Sequence, residues 1–294
     1  MAKGILSQIG NTPLIEVVNL VNKPNVKLYL KLEGNNPGGS VKDRPAFNMI
    51  SEAAKRGDLK EGDTLVEATS GNTGIALAYV AQLFKLKMIL VMPETATKER
   101  VDTMRAYGAE VLLTSADRGI EGSRDIAFGL RDDKGYTLLN QFENHDNWKA
   151  HYKTTGPEIW RDTEGKVTHF VSAMGTTGTI MGTSTFLKEQ NKNITIVGAQ
   201  PTDGSKIPGI RKWSPDYVPG IFDAKKVDQV IEVSQKEATA MTQRLAKEEG
   251  VFAGMSSGGS VATALKVVDS IDEGVVVAIV CDRGDRYLSS PLFS

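Results

Sequence analysis

The feature that most constrains the fold is a repeat of short apolar strand, turn and helix along most of the chain. Predicted strands at 64–67, 88–92 and 110–114 are followed by helical segments at 74–84, 99–107 and 120–131. A second series has strands at 168–172, 194–199, 229–233 and 275–280, with helical segments between them. Such alternation predicts an α/β protein with parallel sheets covered by helices on both faces. Two series predict two lobes, with a boundary around residues 142–148.

Charge and cysteine content restrict which binding partners, disulfides and metal sites are expected. Among the 294 residues, 35 basic and 36 acidic side chains give a net charge of −1, which provides no electrostatic case for nucleic acid or an anionic membrane. We therefore expect a small-molecule partner or another protein. One cysteine, Cys281, and three histidines disfavour a disulfide framework and a metal site. The first residues lack a signal-peptide pattern, so we expect a cytoplasmic protein.

The segment before the first repeat predicts a strand that leads into a glycine-rich loop. Residues 26–32 alternate in polarity, which predicts a half-exposed strand with Leu28 and Leu30 on its inner side. The stretch GNNPGGSVKDR follows at 34–44, and a helix is predicted to begin near its end, capped by Ser40 or Asp43. Its expected inward stripe is Phe47, Ile50 and Ala54.

Lys42 lies in this loop or at the helix N-terminus, and three roles are open to it. It could be a solvated charge, a phosphate-binding cation or a reactive amine. In a glycine-walled pocket, the helix dipole and desolvation would both disfavour the ammonium form and favour a nucleophilic amine.

Three further loops follow predicted strands, at the edge of a parallel sheet where ligands bind. The first, EATSGNTG at 67–74, offers hydroxyl, amide and backbone N–H groups from Thr69, Ser70, Asn72 and Thr73. It is a candidate cradle for a carboxylate or another oxyanion, or else an ordinary strand-to-helix turn.

The second loop, SAMGTTGTIMG at 172–182, predicts a phosphate site. Its glycines would let the backbone approach a ligand, and its threonines stand at the start of a helix. The five central residues are Gly175, Thr176, Thr177, Gly178 and Thr179. The alternative is again a structural turn.

The third loop, AGMSSGGSVATAL at 253–265, places Ser256 at a helix N-terminus, where it could bond a ligand atom or cap the helix. A phosphate cradle, one candidate amine and no metal cluster together suggest a phosphorylated carbonyl cofactor held as a Schiff base. Pyridoxal 5′-phosphate is that cofactor.

These residues also resemble the fold-type II pyridoxal-phosphate enzymes, the tryptophan synthase β-like group, and within them the cysteine synthases (O-acetylserine sulfhydrylases). The shared segments are GNTPLI at 10–15, NPGGSVKDR at 36–44, EATSGNTG, NQF at 140–142, GTTGT at 175–179 and SSGG at 256–259. Similarity to the B-type branch comes from IPGIRKW at 207–213, PGIF at 219–222 and CDRGDRYLS at 281–289.

The resemblance implies a role for each matching position. Lys42 would form the internal aldimine, and Asn72 would bond the phenolic oxygen of the cofactor. The 175–179 loop would hold its phosphate, and Ser256 would face its pyridine nitrogen. The substrate carboxylate would be bound by Thr69, Ser70, Thr73 and Gln141, with Gly220 near the bound amino acid.

The resemblance also implies the reaction and the assembly. O-acetyl-L-serine would lose acetate to give an aminoacrylate, and sulfide would add to form L-cysteine. In the B-type branch thiosulfate can serve as well, giving S-sulfocysteine, and Arg211, Arg283 and Arg286 are candidate ligands for that dianion. We expect a homodimer, with a smaller mobile lobe at 40–147, a larger lobe at 1–39 plus 148–294, and the cofactor in the cleft between them.

Two groups of alternatives stay open. One is another enzyme of this group, a serine or threonine dehydratase or a cystathionine β-synthase. The other is a non-catalytic protein that binds a phosphorylated ligand on the same scaffold. Cys281 could line the site, although a small buried hydrophobe is the favoured interpretation.

Overall fold

A computed structural model describes residues 3–293, which form ten strands and nine α-helices. The strands are β1 Leu14–Glu16, β2 Val26–Leu32, β3 Thr64–Ala68, β4 Lys87–Pro93, β5 Glu110–Thr114, β6 Thr137–Leu138, β7 His169–Ala173, β8 Thr195–Pro201, β9 Gln229–Val233 and β10 Gly274–Val280. The helices are α1 Asp43–Arg56, α2 Asn72–Leu83, α3 Lys98–Ala106, α4 Gly119–Lys134, α5 His145–Lys153, α6 Thr155–Asp162, α7 Gly178–Gln190, α8 Gln235–Glu248 and α9 Met255–Ser270. The predicted strands and helices are confirmed within one to three residues at their ends.

The strands form two sheets. One has the order β1-β2-β10-β7-β8-β9 and is parallel except for β1, which pairs antiparallel with β2. The other has the order β5-β4-β3-β6 and is parallel throughout. The predicted α/β class with two mainly parallel sheets is therefore confirmed.

Both sheets are covered on both faces, as alternation of buried side chains along single strands shows. In β10, Val276 and Ala278 pack into the cluster under α8 and α9, whereas Val277 and Ile279 pack into the cluster under α6 and α7. In the four-stranded sheet, β4 divides its side chains in the same way between a cluster under α1 to α3 and a cluster under α4. Successive side chains of a strand point to opposite faces of the sheet, so a strand that is apolar along nearly its whole length needs an apolar layer on each face.

Two details of the first segments differ from expectation. In β2, Leu28 and Leu30 are buried as predicted, but Lys31 is fully buried too, because its ammonium bonds the Thr12 carbonyl oxygen at 2.7 Å and pairs with Glu158 at 2.8 Å. Helix α1 begins at Asp43 with Lys42 as its N-cap residue, and neither Ser40 nor Asp43 caps it through a side chain. Its buried stripe is Ala46, Met49, Ile50 and Ala53, whereas Phe47 and Ala54 are only half-buried.

The stretch between β8 and β9 is the long irregular region that its proline and glycine content predicts. Over residues 202–228 its only regular elements are two short 3₁₀ turns, Pro215–Tyr217 and Ala224–Lys226. Within residues 3–293, no helix combines the length and apolar character needed to cross a bilayer.

Candidate functional site

A cavity of about 320 Å³ opens at the carboxyl ends of strands from both sheets. Loops after β3 and β7 form two of its walls, and the irregular region, α9 and the segment after β10 complete it. It brings together most of the predicted site residues, namely Lys42, Thr69, Ser70, Asn72, Thr73, Gln141, Gly175, Thr176, Thr177, Thr179, Arg211 and Ser256. Gly178 lies just behind its wall, as the first residue of α7.

Gly220 is placed elsewhere. It is exposed, does not line this cavity, and its backbone N–H donates to Glu143 Oε1 at 3.2 Å. A side chain at this position would collide with the Glu143 carboxylate, so packing against Glu143 accounts for the glycine.

Lys42 stands at the N-terminus of α1, half-buried in the cavity wall. Its loop is fixed to the six-stranded sheet, because the Val41 N–H donates to the Cys281 carbonyl oxygen at 2.8 Å, directly after β10. Helix α1 itself packs with the four-stranded sheet. The lysine therefore lies at the junction of the two sheets, with the positive end of a helix dipole beneath it.

The glycines before Lys42 make room for the protein's own side chains. A Cβ at Gly38 would lie 2.6 Å from Asp43 Oδ1 and 2.8 Å from a ring carbon of Tyr79. Gly39 has φ +80°, and a Cβ there would lie 2.5 Å from Arg286 Nη2. These two glycines therefore make room for Asp43, Tyr79 and Arg286.

The start of α2 supplies a donor-rich wall and holds Gln141 against it. Thr73 Oγ1 donates to Gln141 Oε1 at 2.9 Å, and Asn147 Nδ2 donates to the Gln141 carbonyl oxygen at 2.6 Å. Buried Glu67, at the end of β3, accepts from the backbone N–H of Asn140 at 3.2 Å. Burial raises the pKa of Glu67 to about 7 against these backbone donors. Gln141, which the sequence pattern alone does not single out, is thus fixed beside the 69–73 loop.

The 175–179 loop has the features of an anion cradle. Thr177 caps α7 with φ +70°, an uncommon conformation for a β-branched residue. Its hydroxyl is buried and has no hydrogen-bond partner among residues 3–293. A buried hydroxyl at a helix N-terminus without a partner fits a bound phosphate oxygen.

The two glycines of this loop serve internal packing. A Cβ at Gly175 would lie 2.6 Å from the Gly209 carbonyl oxygen, and one at Gly178 would collide with the Asn147 side chain. Asn147 Nδ2 also donates to Thr176 Oγ1 at 3.2 Å. Asn147 therefore joins the 175–179 loop to Gln141, and nothing in the sequence pattern marks it for this position.

A neutral histidine supports the same loop from behind. His151 Nε2 lies 3.3 Å from Thr179 Oγ1, and its Nδ1 lies 2.8 Å from Thr155 Oγ1. Burial, with the nearby Arg44 cation, lowers the pKa of His151 to about 3. The ring is therefore uncharged at neutral pH and orients Thr179 without adding a cation.

Ser256 and Cys281 meet on the remaining wall. Ser256 is buried in the first turn of α9, and it lines the cavity together with Cys281. Cys281 lines the cavity and also packs against the apolar cluster under α6 and α7, so it is both part of the site wall and a partly buried apolar side chain. Burial raises the pKa of this thiol to about 11, which keeps it protonated at neutral pH.

The cavity is cationic. Its lining contains Lys42 and three arginines, Arg100, Arg124 and Arg211, and no aspartate or glutamate from residues 3–293. Each arginine lies near an aromatic ring, and the Arg100 guanidinium carbon is 5.4 Å from the ring centroid of Tyr287. Arg100 and Arg124 follow strand ends in α3 and α4, a position that could have marked them in the sequence.

The two other arginines of the B-type segments have different surroundings. Arg283 is exposed and pairs with Asp285 at 2.9 Å, outside the cavity lining. Arg286 donates from Nη1 to Asn72 Oδ1 at 2.6 Å and therefore contacts the site through that amide.

Two mainly parallel sheets of an α/β protein thus converge on a cationic cavity with helix N-termini and a lysine, an arrangement that suits a phosphorylated ligand. A family model described as pyridoxal-phosphate dependent enzyme matches residues 5–282, and the chain belongs to that family.

Individual relatives and solved structures agree with this assignment. The chain is 56% identical to cysteine synthase B of Pseudomonas aeruginosa over 285 residues, 97% of this chain and 95% of that protein. It is 55% identical to cysteine synthase B of Escherichia coli over 285 residues, 97% of this chain and 94% of that protein. The crystal structure of cysteine synthase from Entamoeba histolytica superposes with a TM-score of 0.94 at 36% identity, over 100% of this chain and 91% of that one.

Proposed function

We propose that this chain is a cysteine synthase that replaces the acetoxy group of O-acetyl-L-serine with sulfur. Sulfide as donor gives L-cysteine, and thiosulfate gives S-sulfocysteine. The observation that carries the proposal is a cavity lined by one lysine, two donor-rich helix N-termini and Ser256, with no carboxylate from the described residues in its lining. Relatives at 55–56% identity that are named cysteine synthase B support this choice within the family.

The residues fit pyridoxal phosphate as it would be bound here. The buried Thr177 hydroxyl has no hydrogen-bond partner in the part of the chain that the structure describes, and together with Gly175, Thr176, Gly178 and Thr179 it suits the phosphate. Lys42 is the amine that would link to the aldehyde carbon. Asn72 would donate to the phenolic oxygen, and Ser256 would face the ring nitrogen. When bound, the cofactor withdraws electron density from the substrate's α-carbon, so that the α-proton and then acetate can leave.

Lys42 would move the proton. Once released from the cofactor, its amine can accept the α-proton and later return it, which requires a flexible side chain that remains in reach of the α-carbon.

The carboxylate of the substrate would bind to Thr69, Ser70, Thr73 and Gln141. Thr69, Ser70 and Thr73 lie at or just before the N-terminus of α2, where backbone N–H groups and the helix dipole favour an anion. The hydrogen bond from Thr73 Oγ1 to Gln141 Oε1 fixes Gln141 beside them. This arrangement would orient the α-carbon toward Lys42 and the β-carbon toward the rest of the cavity.

The neutral hydroxyl of Ser256, which would face the ring nitrogen, determines which type of reaction the bound cofactor favours. A neutral hydroxyl does not hold that nitrogen protonated as a carboxylate would, so the ring is a weaker electron sink. Expulsion of a good β-leaving group is favoured over prolonged carbanion chemistry.

The arginines support an anionic sulfur donor as an alternative to sulfide. Arg100, Arg124 and Arg211 line the cavity, and a dianion such as thiosulfate requires positive charge. Lys212, next to Arg211, is bonded to Asp203 and Glu232 at 2.8 and 2.7 Å and does not line the cavity. Of the arginines named from the sequence, Arg211 is the one that remains a candidate ligand for the donor.

We also propose the division into a smaller mobile lobe at 40–147 and a larger lobe at 1–39 plus 148–294. The four-stranded sheet falls wholly within 64–138, which supports this division. Residues 1, 2 and 294 of these ranges lie outside the described residues. A homodimer is proposed from the family resemblance alone, and a cytoplasmic location stays the prediction made from the sequence.

One spectrum tests the cofactor assignment. The purified protein should absorb visible light, and borohydride should abolish that absorption and leave a modified Lys42 that peptide mapping identifies. Lys42→Ala should lose both the reducible linkage and turnover. A colourless protein would favour the non-catalytic alternative, and turnover retained by Lys42→Ala would overturn the proposed role of the lysine.

A second assay separates the enzyme alternatives. With O-acetylserine and sulfide, cysteine should form much faster than serine or threonine is deaminated, and faster than homocysteine is joined to serine. Faster deamination would favour a dehydratase, and faster joining a cystathionine β-synthase. Replacing sulfide with thiosulfate measures the donor preference directly.

A further inference from the structure

Two side chains that follow β10 hold the side-chain amide of Asn72 at both of its ends. Asn72 Nδ2 donates to Asp282 Oδ2 at 2.7 Å, and Arg286 Nη1 donates to Asn72 Oδ1 at 2.6 Å. Turning the amide over would point its oxygen at the carboxylate and its NH₂ group at the guanidinium, so only one orientation satisfies both partners. The nitrogen carries two N–H groups, and one remains to be donated into the cavity that Asn72 lines.

Burial of the Asp282 carboxylate lowers the stability of the fold. It is 1% exposed, its Oδ2 also accepts from Tyr287 Oη at 2.6 Å, and its Oδ1 has no hydrogen-bond partner among residues 3–293. Burying a carboxylate with one unsatisfied oxygen opposes folding. This cost indicates that Asp282 is present for what it does to its partners, Asn72 and Tyr287.

Arg286 connects the amide to the loop of the lysine. Its Nη2 donates to the carbonyl oxygen of Gly38, four residues before Lys42, and it reaches that oxygen because Gly39 has no side chain. A single guanidinium thus fixes the start of α2 and the loop before α1 relative to each other. The proposed function places Lys42 and Asn72 on substituents of adjacent ring carbons of the cofactor, and the same arginine contacts Asn72 and the loop that carries Lys42.

We propose that Asp282 and Arg286 are positioning residues that hold the Asn72 amide as an N–H donor toward the phenolic oxygen of pyridoxal phosphate. The inference rests on the proposed function, which assigns that oxygen to Asn72. Donation from the guanidinium to Oδ1 also polarises the amide and strengthens the N–H that faces the cavity. A freely rotating asparagine would present oxygen and nitrogen in turn and bind the phenolic oxygen less well.

The test combines single and double variants with readouts that do not depend on turnover. Asp282→Asn, Arg286→Gln and Arg286→Lys are made alone and together with Asn72→Ala. For each, the absorption spectrum of the bound cofactor is recorded, and its dissociation constant is measured by titrating the apoprotein with pyridoxal phosphate. Arg283→Gln is the matched control, because this exposed arginine of the same segment pairs with Asp285 and does not line the cavity.

Asp282→Asn and Arg286→Gln should each weaken cofactor binding about 3- to 10-fold, the range expected for a misdirected hydrogen bond. They should also shift absorption toward shorter wavelength, because a phenolic oxygen without a donor is less stable as an anion. Arg286→Lys should restore part of both effects, and Arg283→Gln should behave as wild type. In the Asn72→Ala background the effect of Asp282→Asn should largely disappear.

Two results would overturn the inference. One is a folded Asp282→Asn protein with wild-type spectrum and affinity, and the other is an Asp282→Asn effect that persists undiminished when Asn72 is alanine. Circular dichroism checks folding, and the nearly isosteric Asp282→Asn carries the test if Arg286→Gln does not fold. A wild-type protein without a cofactor on Lys42 would instead overturn the proposed function, and a silent Asn72→Ala would overturn the role of Asn72 on which the inference rests.

Discussion

Replacing Asp43 with asparagine should change how the stability of the protein depends on pH. Asp43 is fully buried at the start of α1, where its Oδ2 accepts from Tyr79 Oη at 3.1 Å and its Oδ1 has no partner among the described residues. Burial raises the pKa of this carboxyl from 3.8 to about 7, although the Gly38 N–H, Tyr79 and Arg286 oppose the shift. The folded protein therefore keeps a proton on Asp43 that the unfolded chain releases at lower pH.

The sign and size of the effect follow from this difference. Below pH 3.8 both states hold the proton and Asp43 imposes no penalty. As pH rises toward 7, the unfolded state ionises first and the folded state loses relative stability. The full shift of about 3 pKa units corresponds to about 4 kcal/mol, of which about 3 kcal/mol falls between pH 5 and pH 8.

Urea unfolding of the cofactor-loaded proteins measures this difference. The free energy of unfolding of Asp43→Asn, relative to wild type, should rise by about 3 kcal/mol from pH 5 to pH 8 and stay constant at higher pH. Any fixed packing cost of the asparagine cancels in this comparison. Tyr79→Phe, which removes a donor to the carboxylate, should move the midpoint of the pH effect upward. A difference between Asp43→Asn and wild type that is independent of pH would refute the reasoning.

Three further predictions concern other groups near the site. Arg44→Met should lower the free energy of unfolding by about 3–5 kcal/mol in urea, because the buried Glu33 carboxylate, which pairs with this guanidinium at 2.7 Å, would lose its cation and Glu158 would keep only Lys31. A loss below 1 kcal/mol would contradict this. Gly178→Ala should raise the dissociation constant of pyridoxal phosphate at least tenfold in a fluorescence titration, because the added methyl group would displace Asn147. Gly129→Ala is the control, because Gly129 in α4 has open space around it; this variant should keep wild-type affinity and gain up to about 1 kcal/mol in stability. Cys281 should react slowly with iodoacetamide at pH 7 and faster as pH approaches 11, as followed by mass spectrometry; rapid alkylation at pH 7 would show that the thiol is ionised.

The elements that the sequence predicts well are those whose pattern repeats over several residues. Strand β2 and strand β9 match their predicted bounds, because alternation or an apolar run extends over their whole length. Strands β1 and β6, of three and two residues, are too short to show a period, and neither was predicted. The buried charge of Lys31 was missed for a different reason: its partner Glu158 lies far along the chain, and a period-two pattern assigns lysine to the solvent side.

In the candidate site, too, features with a local sequence pattern could be predicted and contacts between distant residues could not. The loops at 67–74 and 172–182 could be located because parallel strands bring their carboxyl ends to one edge, so their position along the chain implies their position in space. The contacts that orient their side chains could not be located in this way. Asn72 and Asp282 are 210 residues apart, and Thr73 and Gln141 are 68 apart, and no local pattern encodes either pair.

The glycines show where inference from sequence to function needs coordinates. A glycine-rich loop beside a lysine suggests space for a ligand, yet at Gly38, Gly39 and Gly178 the space is taken by Asp43, Arg286 and Asn147. Arg286 and Asn147 in turn bond the site residues Asn72 and Thr176, so Gly39 and Gly178 act one step away from the ligand. Gly39 has φ +80°, and the Arg286 guanidinium occupies the position that a side chain would take. An alanine at this position would strain the backbone and collide with the guanidinium. Substitution there should therefore disturb Arg286 and, through it, Asn72, even though Gly39 itself lies outside the cavity lining.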